Sequence, residues 1–427
     1  MRRRQFIGSL AAASALGATT TLAGCGGSDS GSGSSGGKVQ LTFRQFDPPT
    51  EIDGLTKAVQ AWNKSHADIQ VKIETLTGSD DYAQQFAREA NSGSGPDVVQ
   101  LGFVNVKDLA KPKILKPVSE LAEKSQPDTP IDKFLALDIN RFEEQTWALP
   151  WTVDTFALAY NSTTMKKAGM KPPTSWDELR DNAAEISKSG TAGFAFPGAS
   201  SPTAGQWFAI NYYLWSNGFT LIADNGGSWA PGATVEQFRS AMEYFNSLFT
   251  TKATPRSMIA VEAINDPQLI SGVAGGTVAM TMMAPQTLRQ ARESSTKVVS
   301  AVMPDGLTDG NTHLGGRSLG INASSDHPEE AWEFVKYLNS AKAFEDIPQY
   351  PAATTVLNDL QAPDGEDGYQ QQIPHSRSFA RYTAGPVPVA TLQKLTCAAF
   401  GSVYAGQKKP AQAATELVDG IASAIKG

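Results

Sequence analysis

The sequence predicts an α/β protein large enough for two cores, and three observations carry that expectation. From Lys38 onward, apolar residues alternate with period two, then recur with helical period, in turn along the chain. The 427 residues are more than one hydrophobic core usually organises. The third observation is the stretch from Trp147 to Leu179, WALPWTVDTFALAYNSTTMKKAGMKPPTSWDEL, an extended aromatic and β-branched run that passes through a loop into a helix start. There Pro172-Pro173 holds the backbone extended, Ser175 is placed to cap, and Glu178 stands three residues on to complete a capping box. Trp176, Leu179, Ala183 and Ile186 recur at helical spacing, so one face of that helix is buried.

Taken in order, Val39, Leu41 and Phe43 alternate within a strand from Lys38 to Asp47, which ends in the loop Gln45-Phe46-Asp47-Pro48-Pro49. Ile52, Leu55, Val59 and Trp62 then follow at helical spacing, and Ile69, Val71 and Ile73 alternate again. Tyr82, Phe86 and Ala90 mark a second helix before Gly95-Pro96-Asp97-Val98-Val99 opens a third strand. Such an order predicts a largely parallel sheet, with ligands beyond the carboxyl ends of its strands. Gln45 to Asp47 and Gln100 to Asn105 are then rim loops. Further on come an aromatic helix between Gly205 and Gly218 and a helix from Val235 to Phe249 that buries Val235, Phe238, Met242 and Phe245. Strands are expected at Gly275 to Met280, Val298 to Met303 and Gly316 to Asn322. Pro328 opens a helix carrying Ala331, Phe334, Val335 and Leu338, and Pro410 to Ile425 is amphipathic.

The N-terminus reads as a processing signal. Arg2, Arg3 and Arg4 precede a mainly apolar core from Phe6 to Leu22. Arg3-Arg4-Gln5-Phe6-Ile7 resembles a twin-arginine motif, but Arg2 stands where a serine is expected, so general secretion stays equally open. Leu22-Ala23-Gly24-Cys25 resembles a bacterial lipobox, which implies cleavage after residue 24 and lipidation of Cys25. Two or more acyl chains hold a protein on a membrane where one is marginal. The Gly/Ser run from Gly26 to Gly37 then serves as a flexible tether over residues 25–37. With Cys25 lipidated, Cys397 stands alone and reads as a buried structural thiol within an apolar helical pattern. A net charge of -7 and no basic patch exclude a nucleic-acid partner as the expectation, and four scattered histidines do not build a metal centre.

The Trp-x-x-Pro element, the strand ending in Tyr160-Asn161, the Ala-Gly turn and Pro-Pro-Thr-Ser-Trp-Asp-Glu-Leu together resemble the extracellular solute-binding lipoproteins of ABC sugar importers, the group of maltose-binding protein. Gly275-Gly276-Thr277-Val278-Ala279-Met280 resembles the same family's G-x-x-A-M strand. The resemblance covers residues 38–427. It implies a two-lobed periplasmic-binding-protein-like fold of type II, with a ligand cleft between lobes joined by a hinge. The lobes are then 38–150 with 285–340, and 151–284 with 341–427. It also implies a monomer on the outer face of the cytoplasmic membrane that captures a mono- or oligosaccharide by hinge closure and delivers it to a permease powered by a separate ATPase. Relatives often carry Gly-Pro-Trp after that strand, with the ring stacked on sugar; here Ala284-Pro285-Gln286 replaces the ring with an amide.

A sugar needs aromatic rings for its C–H faces and polar side chains for its hydroxyls, because a buried polar group left unpaired costs roughly 1–3 kcal/mol. Polar–aromatic neighbours on rim loops are therefore candidates: Phe46 with Asp47, Phe103 with Asn105, Trp151 with Asp154, and Trp207 after Gln206. Gly315 and Gly316 permit close backbone approach to a ligand, and Arg381 is placed for hydroxyls or a charged substituent. Trp176, Trp215 and Trp332 read as core. No cofactor is expected, and the chain lacks Gly-x-Ser-x-Gly, a P-loop lysine motif and His-Glu-x-x-His. A binding protein, not an enzyme, is the expectation. The alternatives are the same fold with a polyamine, amino sugar or phosphodiester, a lipid-anchored carbohydrate-active enzyme, and a surface adhesin or signalling module. Clustered acidic rim residues favour a cationic ligand, whereas Arg317 with Arg381 favours an anionic one.

Overall fold

The computed structural model describes residues 38–47, 49–76, 82–124, 131–201 and 205–427. The export signal, Cys25 and the Gly/Ser run expected from the sequence lie outside the described residues. In order, the chain forms β1 (Val39–Gln45), α1 (Pro49–Ser65), β2 (Ile69–Thr75), α2 (Tyr82–Asn91), β3 (Val98–Gly102) and β4 (Ala148–Asp154). Next come β5 (Ala157–Asn161), α3 (Trp176–Ser187), β6 (Ala192–Ala195), α4 (Gln206–Ser216), α5 (Val235–Thr250) and β7 (Val278–Met283). The remainder is α6 (Pro285–Ser294), β8 (Val298–Ala301), β9 (Gly315–Asn322), α7 (Pro328–Leu338), β10 (Tyr350–Pro351), α8 (Val389–Tyr404) and α9 (Pro410–Lys426).

These strands build two main sheets. The first has the order β10-β4-β9-β3-β1-β2, with the short strand Leu115–Lys116 also paired to β9. The second has the order β8-β5-β7-β6. The expected parallel arrangement holds in the first sheet only across β2, β1 and β3, and in the second only between β7 and β6. β9 runs antiparallel to both β3 and β4, so the first sheet is mixed. The reason is connectivity: β9 enters from the second sheet's side and not from a crossover helix.

Each sheet has its own core. Leu41, Phe43, Trp62, Trp151, Phe334 and Leu338 pack around the first. Trp176, Phe194, Phe196, Trp207, Phe245 and Phe400 pack around the second. A third cluster draws on both sides, joining Val153, Leu314 and Tyr350 to Ala157, Met283 and Leu288 where the chain crosses.

The crossings differ from the expected boundaries. The aromatic run from Trp147 to Asn161 is not one strand: it breaks after Asp154, with β4 in the first sheet and β5 in the second. The return expected at residue 285 comes later, because β8 still pairs with β5. The last crossing also follows residue 341, since Tyr350 and Pro351 pair with β4. One polar network ties the crossing segments together. Thr155 Oγ1 donates to the His313 carbonyl at 2.7 Å. Gln372 Nε2 donates to Thr155 Oγ1 at 2.8 Å and to the Phe156 carbonyl at 3.0 Å.

Local signals fare well at the helix ends. Ser175 Oγ accepts from the Glu178 N–H at 3.2 Å, as expected for a cap. The Glu178 carboxylate, however, takes the Thr174 N–H at 2.8 Å, so the box closes one residue early. Asn161 caps a short helix, Ser162–Lys167, by accepting from the N–H groups of Thr163 and Thr164. Cys397 is buried, and burial pushes its thiol up to about 12, consistent with a structural thiol.

Candidate ligand-binding cleft

The carboxyl ends of β1 and β4 and the start of β9 meet where the two sheets face each other. Gln100, on β3, fixes the β1 rim loop from below: its Oε1 accepts from the Phe46 N–H at 2.7 Å and its Nε2 donates to Asp47 Oδ1 at 2.8 Å. The Asp47 N–H in turn donates to Gln45 Oε1. Asp47 is thereby held 1% exposed with its carboxylate aimed at Arg317, whose Nε lies 2.8 Å from Oδ1. The guanidinium also lies 4.0 Å from Glu51 and 3.9 Å from Asp154, and sits over the Phe46 ring at 5.5 Å.

Strand irregularity places Arg317. The register between β9 and β4 shifts between Arg317 and Ser318, so Thr152 pairs with Arg317 while Pro150 pairs with Ser318. The extra residue is Trp151, and such a bulge re-aims neighbouring side chains. Just before it, Gly316 adopts φ 145°, and a Cβ there would come within 2.1 Å of the Thr152 carbonyl and 2.9 Å of the Phe103 ring. Only glycine fits that backbone. A Cβ on Gly315 would meet Asp154 Oδ1 at 2.4 Å and His313 Nε2 at 2.8 Å, so carboxylate and imidazole flank the same backbone position.

His313 stands in an aromatic cage. Its ring centroid lies 5.5 Å from Phe156, 4.9 Å from Phe208 and 5.1 Å from Phe379, and its Nδ1 is 3.0 Å from Tyr212 Oη. Burial pushes its pKa down to about 3, so the ring is neutral. Burial also raises the Glu51 and Asp154 carboxyls, with Arg317 offsetting the effect at both.

The opposite wall belongs to the second sheet. Pro285 and Gln286 begin α6 and line the same space as Glu51, Thr152, Asp154 and Arg317, together with Gln349 and Tyr350. Arg289, one turn on, donates to both oxygens of buried Glu366 at 2.6 and 2.9 Å and to the Pro348 carbonyl. Across the rim, Lys107 Nζ donates to the Thr383 carbonyl at 3.0 Å. The space enclosed is about 20 Å³, room for about one water. A wider cavity of about 360 Å³ lies under Pro172–Thr174 and Val302–Thr308. Its acidic residues, Asp305 and Asp367, are exposed, and its buried Ser300 is already hydrogen-bonded. Among the described residues, no group of three His, Cys, Asp or Glu is placed to hold a metal ion.

Of the residues singled out from the sequence, the fold brings together Phe46, Asp47, Phe103, Asp154, Gly315 and Gly316. Asn105 sits on the rim beside Gly102. Trp151 and Trp207 do not face the cleft. Trp151 is fully buried, edge-on to Phe43, with Nε1 donating to the Leu338 carbonyl at 3.0 Å. Trp207 is 2% exposed against Phe379 and Tyr382. Arg381 is also diverted: its guanidinium stacks on Trp215 at 4.2 Å and donates to the Gly310 carbonyl at 2.8 Å. Sequence reasoning passed over Glu51, Thr152, His313, Phe156 and Phe208. The one available signal was proximity to chosen neighbours: Thr152 and Phe156 lie two residues from Asp154, His313 two from Gly315, and Phe208 follows Trp207.

Known proteins place this arrangement. The bacterial extracellular solute-binding protein family matches residues 48–343. A relative from Brucella abortus named as a binding protein is 25% identical over 310 residues, covering 71% of this chain and 72% of its own length. The multiple sugar-binding protein of Streptococcus mutans is 23% identical over 349 residues, covering 76% of this chain and 78% of its own. Among solved structures, the GacH receptor of Streptomyces glaucescens, determined unliganded and with acarbose, superposes with TM-score 0.70 at 23% identity, over 91% of this chain and 99% of that one. The fold is thus the two-lobed α/β architecture of periplasmic solute-binding proteins, with the cleft between the lobes. With more than half its length matched, the chain belongs to the bacterial extracellular solute-binding protein family.

Proposed function

We propose that the chain captures a carbohydrate between its lobes and delivers it to a membrane permease powered by a separate ATPase. The observation that carries this reading is the make-up of the cleft. Asp47, Glu51, Asp154, Arg317 and the amides of Gln286 and Gln349 offer acceptors and donors for hydroxyls. The half-buried rings of Phe46, Phe156 and Phe208 stand beside them for C–H faces. The streptococcal relative named for sugar binding and the acarbose complex of GacH support the same class.

Binding proceeds through hinge closure. Room for one water admits no sugar, so the lobes part and then close on the solute through contacts made only in the closed state. On this reading lobe I comprises residues 38–154 with 315–353, and lobe II residues 157–301 with 363–427. The hinge is the network around Thr155, His313 and Gln372. Cys25 carries the lipid that holds the protein, as a monomer, at the outer face of the cytoplasmic membrane; the Leu-Ala-Gly-Cys motif and the Gly/Ser run support this.

The test follows tryptophan fluorescence and melting temperature of the purified full-length protein against sugars, polyamines and phosphodiesters. A saturable response to a sugar, a raised melting temperature and unaltered sugar are expected. A response confined to another class, or consumption of the sugar, overturns the reading.

A further inference from the structure

We infer that the solute carries a protonated amine, as an amino sugar does, and that Asp154 is the side chain that reads it. This rests on the cleft being the solute site and names the ligand's chemistry there.

The charges in the cleft do not balance. Three carboxylates, Asp47, Glu51 and Asp154, surround one guanidinium, Arg317. The other cation of the lining, Arg289, is committed to Glu366, and Arg381 is committed to Trp215 and Gly310. The amino end of α6 offers roughly half a positive charge. That leaves more than one negative charge in an enclosed space. An anionic solute meets no spare cation among the described lining residues, and repulsion excludes it.

The three carboxylates are also not equally satisfied. Asp47 has its 2.8 Å approach to Arg317 and the Gln100 amide. Glu51 accepts from the Gln349 amide. Asp154 has only Arg317 at 3.9 Å and accepts no hydrogen bond among the described residues, while its side chain is 27% exposed. Burial raises its carboxyl, which is the mark of a charge short of partners.

A second observation points to the same place. Thr152, two residues before Asp154 and so on the same face of β4, also lines the cleft. It is 2% exposed, and among the described residues its Oγ1 has no hydrogen-bond partner. Buried hydroxyls are rarely left so. A solute bearing an ammonium and neighbouring hydroxyls supplies what both lack, with Phe156 and Phe208 on the far side of His313 for its ring. A bare metal ion does not fit, because the carboxylates spread around Arg317 and converge on no common point. A neutral sugar would leave the Asp154 charge desolvated with only the Arg317 guanidinium at 3.9 Å to offset it, which sets the discrimination.

The experiment is calorimetric titration of the full-length protein in detergent at pH 7. The probes are glucosamine, galactosamine, mannosamine and glucosamine oligomers, each against its N-acetylated counterpart, with putrescine as an amine without a sugar. The free-amine sugars should bind at least tenfold tighter than their N-acetyl partners, and Asp154→Asn should abolish that ratio while melting within a few degrees of the parent. Affinity for the amine should fall as pH drops and the carboxyl is protonated. The matched pairs decide the matter on the unaltered protein even where a variant folds poorly. Equal or tighter binding of the N-acetyl sugars overturns the amine inference and leaves the carbohydrate reading standing. With glucose and maltose added as neutral probes, putrescine binding without any sugar overturns the carbohydrate reading alone, binding of those neutral sugars alone overturns the amine inference alone, and no binding by any probe overturns both.

Discussion

Gly316 shows how much one residue can carry. Its φ of 145° and the 2.1 Å approach of the Thr152 carbonyl leave no space for a side chain. Gly316→Ala should destabilise the fold by roughly 1–3 kcal/mol, read as a lower urea midpoint, and should weaken solute binding by displacing Arg317. His313 makes a different prediction. Its ordinary pKa of 6.5 falls to about 3 on burial, so the unfolded chain binds a proton that the folded chain refuses. Stability from this residue is complete above pH 6.5 and is lost as pH falls from 6.5 toward 3, by up to about 1.4 kcal/mol per pH unit. The raised Glu51 and Asp154 carboxyls act in the opposite sense, gaining stability as they take up protons. His313→Asn keeps a partner for Tyr212 and should make the melting temperature fall less steeply between pH 6 and 4. At this scale the sequence was half legible. Asp47, Asp154 and Gly316 were readable as residues at strand ends. Trp151 and Trp207 looked equally eligible, but a sequence does not show on which side of a bulge or helix a ring lands.

The brace between β10 and α6 is the clearest case among elements. Arg289 reaches from α6 to Glu366, whose carboxylate also accepts from Tyr350 Oη at 2.9 Å on the first sheet's edge. With Glu366 only 1% exposed, Arg289→Met should leave a buried charge without its cation and cost about 3–5 kcal/mol. Adding Glu366→Gln should recover most of that loss, because the uncompensated charge is gone. Urea unfolding of the two variants checks both statements. The strands and helices themselves were legible because each alternation or 3.6-residue period matches a half-buried face, as in β1 and α3. The break of β4 from β5 was not legible. Thr155 and Phe156 carry no glycine or proline, and their turn is imposed by the buried hydrogen bonds to His313 and Gln372.

At the scale of the whole molecule, two sheets with separate cores share one narrow cluster and one polar network, which is the architecture of a hinge. Contacts across the rim, such as Lys107 to Thr383, hold the lobes together in this arrangement. The two-lobed fold came from the wording of one segment, since periodicity alone gives an α/β chain and no more. The crossing points came only from strand pairing, which joins residues more than a hundred positions apart. The central claim is that a sugar-class solute is bound between the lobes by the Arg317 cluster. It is tested most directly by titrating the full-length protein and its Arg317→Ala variant with neutral and amino sugars in a calorimeter. The account predicts one saturable site per chain for the parent and a loss of at least tenfold in affinity for the variant. Sugar binding that is indifferent to Arg317→Ala would contradict it.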